Sequence, residues 1–433
     1  MPAALSVGVG SSVHSPLLRS LIQRHCQGLY LAFKTDAPTI WLNATTLEPI
    51  RESPNCGSAC GSGLDMYAFD EEVSQWRWVS TTTNAKGGGW DYSGSEILRP
   101  MVTDAPPGKT FRYRIHLPIY NGLTSASIGV PAGSQLVLDT PSAADPDPSP
   151  ILFYGTSIVN GHVASRPGMI FTNVLSRMLQ RPVVNLGFGG NGEMERSVGV
   201  LIGRMKKVGL VVIDCNWNMN STAIRTAAVL LVHQLRAEWS ATKPIVLAEG
   251  SDAGSAWLTP GIYATQLSRR QALAAAYAQL VGEKVPNLHY VKGEDLIGKS
   301  GAVDLPTAMG THPTDLGHHL IAKYYHLALP AILNGTATQA TPSAAQALLS
   351  QRSAAVAAVH TSVPDGARQA IGGMPNLLEE SELSETTSNC GVHSIEWTNA
   401  RTALHVGGRA NWDGLPRENF YDRFPLDAQA NVT

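Results

Sequence analysis

From residue 151 to about 335 the chain alternates short, largely apolar runs with longer amphipathic ones, and no other feature narrows the choice of fold as far. The apolar runs are "PILFYG", "PVVNLGF", "VGLVVIDC", "KPIVLAEG" and "NLHYVKG". Interleaved with them stand "GMIFTNVLSRMLQR", "TAIRTAAVLLVHQLRAEW", "RRQALAAAYAQLVGE" and "LGHHLIAKYYHLALPAIL", whose apolar residues recur at helical spacing. A strand that is apolar at every position must be covered on both faces, and amphipathic helices between strands supply that cover. Residues 151–335 are therefore expected to form an α/β domain with a doubly wound parallel sheet. Ligands of such sheets bind outside the carboxyl ends of the strands, so the loops that follow the strands are the place to look for chemistry.

Residues 1–140 follow a different grammar. "LYLAFKTDAPTIWLNAT", "RWVSTT", "TFRYRIHLPIYNG" and "SASIGVPAGSQLVL" are short, alternating or β-branched segments divided by Gly, Pro, Asn and Asp, the spacing of a β-sandwich or jelly roll. The Pro/Asp/Ser text before residue 151 marks a linker over 141–150. Residues 336–391 are Ala/Ser/Thr-rich and then acidic, and read as a helix or two followed by a flexible connector. At 392–433 β-like text returns in "HSIEWTNARTALHVGGRANW".

A chain of 433 residues points to two domains or one elaborated domain. Its net charge of -2 gives no electrostatic reason to expect nucleic acid or an anionic membrane as partner. No run reaches the length of a transmembrane helix. The first residues lack the charged start and compact apolar stretch of a signal peptide, while sequons at Asn43, Asn220, Asn334 and Asn431 permit secretion; the compartment stays open. Five cysteines are too few for a disulfide framework, although Cys56 and Cys60 in "NCGSACGSG" are close enough either to bridge or to remain free thiols. No Cys/His set has zinc-ligand spacing, so no metal is expected.

Four loops carry the chemistry. In "ILFYGTSIVNG", Ser157 stands where a strand turns into a helix, either as an exposed nucleophile with backbone dipoles beside it or as a plain helix cap. In "PVVNLGFGGNGEMER", Gly187, Gly189 and Gly192 spell G-x-G-x-x-G, with Asp214 about twenty residues on, the outline of a dinucleotide fingerprint. Glu193 and Glu195 stand where the pyrophosphate of that reading would sit. The alternative is that these glycines bring backbone N–H groups up to a reacting carbonyl. In "VVIDCNWNMN", Asn216 and Asn218 are turn formers or oxyanion donors. His312 lies in "GTHPTDLGH", where Pro313 stiffens the loop and Thr314 or Asp315 caps the closing helix. Each signal is weak by itself; the order Ser, Gly, Asn, His on successive loops is not.

Together these segments resemble the SGNH (GDSL-like) hydrolases. Gly155-Thr156-Ser157 answers to the serine motif, "NLGFGG" ending at Gly190 to the glycine motif, Asn218 to the asparagine motif and His312 to the histidine motif. "YGTSIVNGHVASRPGM" and "LPIYNG" resemble a branch with an N-terminal β-domain, whose G-x-D-L-Y signature is matched by Gly63, Leu64, Asp65, Met66 and Tyr67. The resemblance covers residues from about 25 to about 333. It implies a flavodoxin-like doubly wound sheet, a serine esterase, and no cofactor. It further implies that Ser157 is the nucleophile and His312 its base, with the Ser157 and Gly190 amides and the Asn218 side chain forming the oxyanion hole. Two departures stand out. Thr156 replaces the commonest Asp of the serine motif. Met309 replaces the acid of D-x-x-H, and a thioether cannot orient an imidazole or stabilise its cation as a carboxylate does. Asp304 on the same loop is the expected substitute, with a backbone carbonyl as the other choice. A Ser-His dyad with an oxyanion hole keeps much of its catalysis, so reduced activity is expected.

In this branch the β-domain opens with text resembling W-x-x-A-R-x-L-x-V-x-G-R and then Y-D-R-L-P. Here those words occur near the C-terminus, at Trp397, Ala400, Arg401, Leu404, Val406, Gly408 and Arg409, and again from Tyr421 to Pro425. The chain is therefore expected to be circularly permuted, with residues 392–433 completing the sandwich of 1–140 and 336–391 as the return connector. The expected function is hydrolysis of a short-chain, foremost acetyl, ester through an acyl-enzyme, the partner being a small-molecule or carbohydrate ester. Transfer of the acyl group to an alcohol, or a catalytically weakened glycan-binding protein, are the alternatives.

Overall fold

A computed structural model describes residues 3–7, 26–49, 55–82, 95–139, 148–298 and 306–362. They fall into two compact units: Met1–Pro150, Asn160–Asn185 and His312–His326 in one; Ile151–Val159, Leu186–Thr311 and Leu327–Thr433 in the other.

The first unit contains β1 (Ala3–Val7), β2 (Tyr30–Thr35), β3 (Ile40–Thr46), β4 (Asp65–Asp70), β5 (Gln75–Thr81), β6 (Glu96–Val102), β7 (Phe111–His116), β8 (Leu123–Val130) and β9 (Leu136–Leu138). They form two antiparallel sheets, ordered β1-β8-β3-β6 and β5-β4-β7-β2-β9. Strand alternation builds the sandwich: Ile40, Leu42 and Ala44 point inward while Trp41 and Asn43 face out. The inward residues of the two sheets, among them Phe33, Leu42, Met66, Tyr113, Ile115 and Ile128, merge into one core. Each large side chain buried there contributes roughly 2 kcal/mol.

The G-x-D-L-Y signature has a physical basis in this unit. Gly63 ends the short helix Ser58–Ser62, and a Cβ there would lie 2.4 Å from the Ala59 carbonyl oxygen. Asp65 is fully buried and pairs with Arg166, whose guanidinium also donates to the Tyr67 hydroxyl at 2.7 Å. The Gly168 amide and Trp78 Nε1 complete the carboxylate's partners at 2.8 and 2.9 Å. The signature thus grips the "SRPG" text about a hundred residues later. Cys56 and Cys60, left open by sequence, are joined in a disulfide.

The parallel sheet comprises β10 (Ile151–Gly155), β11 (Val183–Gly187), β12 (Leu210–Asp214), β13 (Ile245–Ala248) and β14 (Leu288–Val291), in the order β11-β10-β12-β13-β14. β10, β12 and β13 are buried at every position, as their unbroken apolar text requires. The order is the flavodoxin-like 2-1-3-4-5, and its direction reverses at β10, so the carboxyl ends of β10 and β12 border the switch point. Helix Ser221–Glu238 is capped by Asn220, which accepts from the Ala223 amide at 2.8 Å, and helix Pro260–Gly282 opens on its proline.

The Ala-rich text after residue 336 forms helix Pro342–Ser362, which packs along Pro260–Gly282. It carries Arg352 to Glu249, a fully buried carboxylate just past β13; Nε and Nη2 reach it at 2.9 and 2.7 Å. Tyr290 and the Gly293 amide donate to the same carboxylate. Among the described residues no helix is long and apolar enough to cross a membrane. Residues 363–433, and with them the expected permuted strands of 392–433, lie outside the described residues.

Candidate active site

Three loops at the carboxyl ends of β10, β11 and β12 are bound to one another largely through backbone. A Cβ on Gly155 would lie 2.2 Å from the Asp214 carbonyl oxygen, so only glycine lets β10 and β12 end this close together. The chain then turns into the short helix Ser157–Asn160. Thr156 caps it, its hydroxyl accepting from the Ile158 amide at 3.4 Å, a capping role that the commoner aspartate can also fill. Ser157 is half-buried between the buried Thr156 and Ile158, so its hydroxyl leaves the core where the strand ends.

The glycine loop crosses this corner. The Phe188 amide donates to the Gly155 carbonyl at 2.9 Å, and the Asn191 amide to the Phe188 carbonyl at 3.1 Å. That closes a turn with Gly190 at φ +70°, a conformation glycine adopts without strain. A Cβ on Gly190 would meet no atom within 4 Å, whereas one on Gly192 would lie 2.2 Å from the Gly155 oxygen. Glu195, buried, turns its carboxylate onto the loop's own amides: Glu193 donates at 2.9 Å and Gly192 contributes its own, while the Glu195 amide donates to the Tyr154 hydroxyl at 3.0 Å. Burial nevertheless pushes this carboxyl up. The glycine loop's amides are thus already turned to a carboxylate, and the dinucleotide reading loses amides it needs.

After β12 the 3-10 turn Asn216–Asn218 presents Asn218, whose Nδ2 donates to the Asn191 carbonyl at 2.5 Å and has a second hydrogen to offer. Burial pushes the Asp214 carboxyl up to about 7. Asn216, with Trp217, Ser251 and Arg270, lines a small cavity, and neither end of its buried amide bonds to the described residues; ordered water is the natural partner for such a group.

His312 belongs to the first unit, at the entry to helix Asp315–Leu333. Thr314 caps that helix, accepting from the Gly317 amide at 3.5 Å, while Asp315 takes the amide and hydroxyl of Ser165 at 2.8 and 2.5 Å. The His312 ring meets His162 edge to face with centroids 4.4 Å apart. His318 stacks on Phe171 and lies 3.4 Å, through Nε2, from the His162 carbonyl oxygen. Burial, then the neighbouring His162 and His318, push His312 down to about 4, so the ring is neutral and able to accept a proton at pH 7. Met309 sits at a turn with φ +54°, its side chain 68% exposed, and the adjacent Gly310 carbonyl accepts from the Gly254 amide at 2.6 Å. Asp304 lies outside the described residues.

Residues 148–330 match the GDSL-like lipase/acylhydrolase family, and residues 13–136 match GxDLY, the N-terminus of SGNH-hydrolase-type esterases. The chain carries a GDSL-like lipase/acylhydrolase domain, preceded by the N-terminal domain of SGNH-hydrolase-type esterases. As such it is a carboxylic ester hydrolase. No curated protein matches this SGNH hydrolase in sequence. Its fold is shared by a protein described as a GDSL-like lipase from Bacteroides ovatus, 23% identical over 77% of this chain and 98% of that one, with a TM-score of 0.66. It is shared also by the salicylyl-acyltransferase SsfX3 of a tetracycline biosynthetic pathway, at 18% identity, 76% and 95% coverage and a TM-score of 0.56.

Of the residues expected to form the site of this SGNH hydrolase, Ser157, Gly190 and Asn218 stand on three loops of one sheet, and His312 stands in the other unit. The contact of His162 with His312 was not read from the sequence, although His162 lies in a quoted motif five residues after Ser157.

Proposed function

We propose that this SGNH hydrolase is a serine esterase for short-chain, foremost acetyl, esters. Ser157 Oγ attacks the ester carbonyl and His312 takes the hydroxyl proton. The oxyanion is held by the Ser157 and Gly190 amides and the second N–H of Asn218. The alkoxide leaves with the proton from His312, and water repeats the sequence to release the acid and regenerate Ser157. The observation that carries this reading is the half-buried Ser157 at the end of a wholly buried strand, in a corner whose backbone is fixed by the close approaches at Gly155 and Gly192. Fixed donors cost no reorganisation when charge develops, which is why such a corner suits acyl transfer. The choice of an acetylated carbohydrate as acceptor side rests on association alone, a β-sandwich in the same chain as this hydrolase fold.

The test is acyl-chain selectivity together with acetate release. Acetyl p-nitrophenyl esters are expected to be cleaved with a kcat/KM at least about tenfold above octanoyl esters, and acetate to be freed from acetylated oligosaccharides. A preference for long chains, or no acetate from any acetylated glycan, would remove the corresponding part of the proposal.

A further inference from the structure

Asn216 opens the turn that ends in Asn218, and it lines a cavity together with Trp217, Ser251 and Arg270. Asn216, Ser251 and Arg270 are buried. Both amide atoms of Asn216, Trp217 Nε1, Ser251 Oγ and Arg270 Nε are shielded from solvent and hydrogen-bond to none of the described residues. The walls around them are tightly packed. Arg270 Nη2 donates to the Gly250 carbonyl at 2.8 Å, and a Cβ on Gly250 would lie 2.7 Å from Trp217 Nε1. Gln266 Nε2 donates to the Ser251 carbonyl at 2.7 Å, and Arg269 Nε to the Met219 carbonyl, one residue past the turn, at 2.8 Å. The space between them is about 10 Å³, the room one water needs.

The charges beside the cavity are already matched, which fixes the class of ligand. Arg270 pairs with Asp252 at 2.5 Å and stands 3.5 Å from Glu249 and 3.6 Å from Glu294, and Arg352 serves the same two glutamates. An anion would meet these carboxylates, and a cation the guanidinium. The groups left over are mixed: Trp217 Nε1, Arg270 Nε and Asn216 Nδ2 only donate, Asn216 Oδ1 only accepts, and the Ser251 hydroxyl does either. A small neutral molecule that both donates and accepts answers that set, and water is the one that fits. We propose that the cavity binds one ordered water bridging Asn216 to Trp217, Ser251 and Arg270, and that Asn216 is through it the positioning residue of Asn218. The inference rests on the reading of Asn218 as an oxyanion donor to the Ser157 reaction. Asn218 spends one Nδ2 hydrogen on the Asn191 carbonyl, and the aim of the other follows the backbone of the turn. Arg269 anchors that backbone just past Asn218, at Met219; the water anchors it at Asn216.

The test uses the full chain. In a proton–nitrogen correlation spectrum the Trp217 indole N–H, identified by its loss in Trp217→Phe, is expected to show a cross-relaxation peak at the water frequency. The peak disappears in Asn216→Leu and persists in Ser251→Ala, where no serine hydroxyl is left to relay exchange. With p-nitrophenyl acetate, Asn218→Ala is expected to lower kcat about 10²-fold by removing the donor outright. Asn216→Leu, which only misdirects it, lowers kcat about tenfold with KM little changed. Added to Asn218→Ala, the same change costs less than about twofold more, because the donor it would misdirect is gone. Trp217→Phe, which keeps a ring against Gly250, repeats the pattern at smaller size. An indole without the water peak, or a peak that vanishes with the Ser251 hydroxyl, would overturn the site. Equal losses from Asn216→Leu in both backgrounds, or no loss in either, would overturn the positioning role. Full activity in Ser157→Ala or Asn218→Ala overturns the esterase or oxyanion reading and the positioning role with it, whereas the water peak is read without turnover and decides the site by itself.

Discussion

The serine corner and the histidine corner are built by different means. Around Ser157 the structure is made of backbone: Phe188 N–H to the Gly155 carbonyl, Gly192 against Gly155, Gly155 against Asp214. Around His312 it is made of side chains: His162, Tyr120, His318, Phe171, and the Asp315–Ser165 pair. Backbone contacts tolerate no Cβ, so the serine and glycine motifs are strict at their glycines. Side-chain contacts can be replaced by others of similar shape, so the histidine corner is expected to tolerate substitution more readily than the serine corner.

The largest effect tests whether charge, as well as backbone, holds the carboxyl edge of the parallel sheet. Arg352→Met leaves Glu249 buried with Tyr290, Gly293 and Arg270 but without its bidentate partner. Breaking such a pair costs about 3 kcal/mol or more, measured as a fall in urea-unfolding stability. A change below about 1 kcal/mol would mean that helix Pro342–Ser362 is only loosely attached, and that backbone contacts carry the edge.

Next, the two corners should titrate in opposite senses. His318 is wholly buried and pushed down to about 4 by burial, so below pH 6.5 the unfolded chain binds a proton that the folded chain refuses. Its contribution is present above pH 6.5 and lost as pH falls through 4. Asp214 is pushed up to about 7, so its contribution is present below the ordinary carboxylate range and lost as pH rises through 7. Relative to wild type, His318→Phe should therefore gain about 3 kcal/mol on going from pH 7 to pH 4, and Asp214→Asn should lose a similar amount. Parallel curves for the two variants would erase the distinction.

Smallest is Gly192→Ala, where the added Cβ meets the Gly155 oxygen and φ stands at +78°. Overpacking of this kind costs about 2 kcal/mol, read from urea unfolding, and displaces the Ser157 turn, so activity should fall by more than the lost stability accounts for. Insensitivity would show that the serine corner is as adaptable as the histidine one.

How much of this was legible in sequence follows the same division. β10 and β12 were plain because a short run that is apolar at every position needs cover on both faces, and the sandwich because Ile40, Leu42 and Ala44 alternate with polar or exposed neighbours. Helix Phe171–Leu179 was expected to begin at residue 168 and run to 181. It is shorter because Pro167–Met169 forms a 3-10 turn and Gln180 adopts a left-handed conformation at its end. Pairings between distant segments left no local trace: Asp65 with Arg166, Glu249 with Arg352, His162 with His312. Periodicity reports which face of an element is buried, and it carries no information on which remote side chain meets it. The dinucleotide outline of Gly187, Gly189 and Gly192 shows the converse hazard, since the amides it implied are engaged by Glu195.

The central claim is that Ser157 is a nucleophile activated by His312. A fluorophosphonate probe on the full chain, followed by peptide mass spectrometry, tests it most directly. Labelling at Ser157, absent in Ser157→Ala and slowed about 10²-fold or more in His312→Ala, is the predicted result. Labelling at another serine, or undiminished labelling in His312→Ala, would contradict the account.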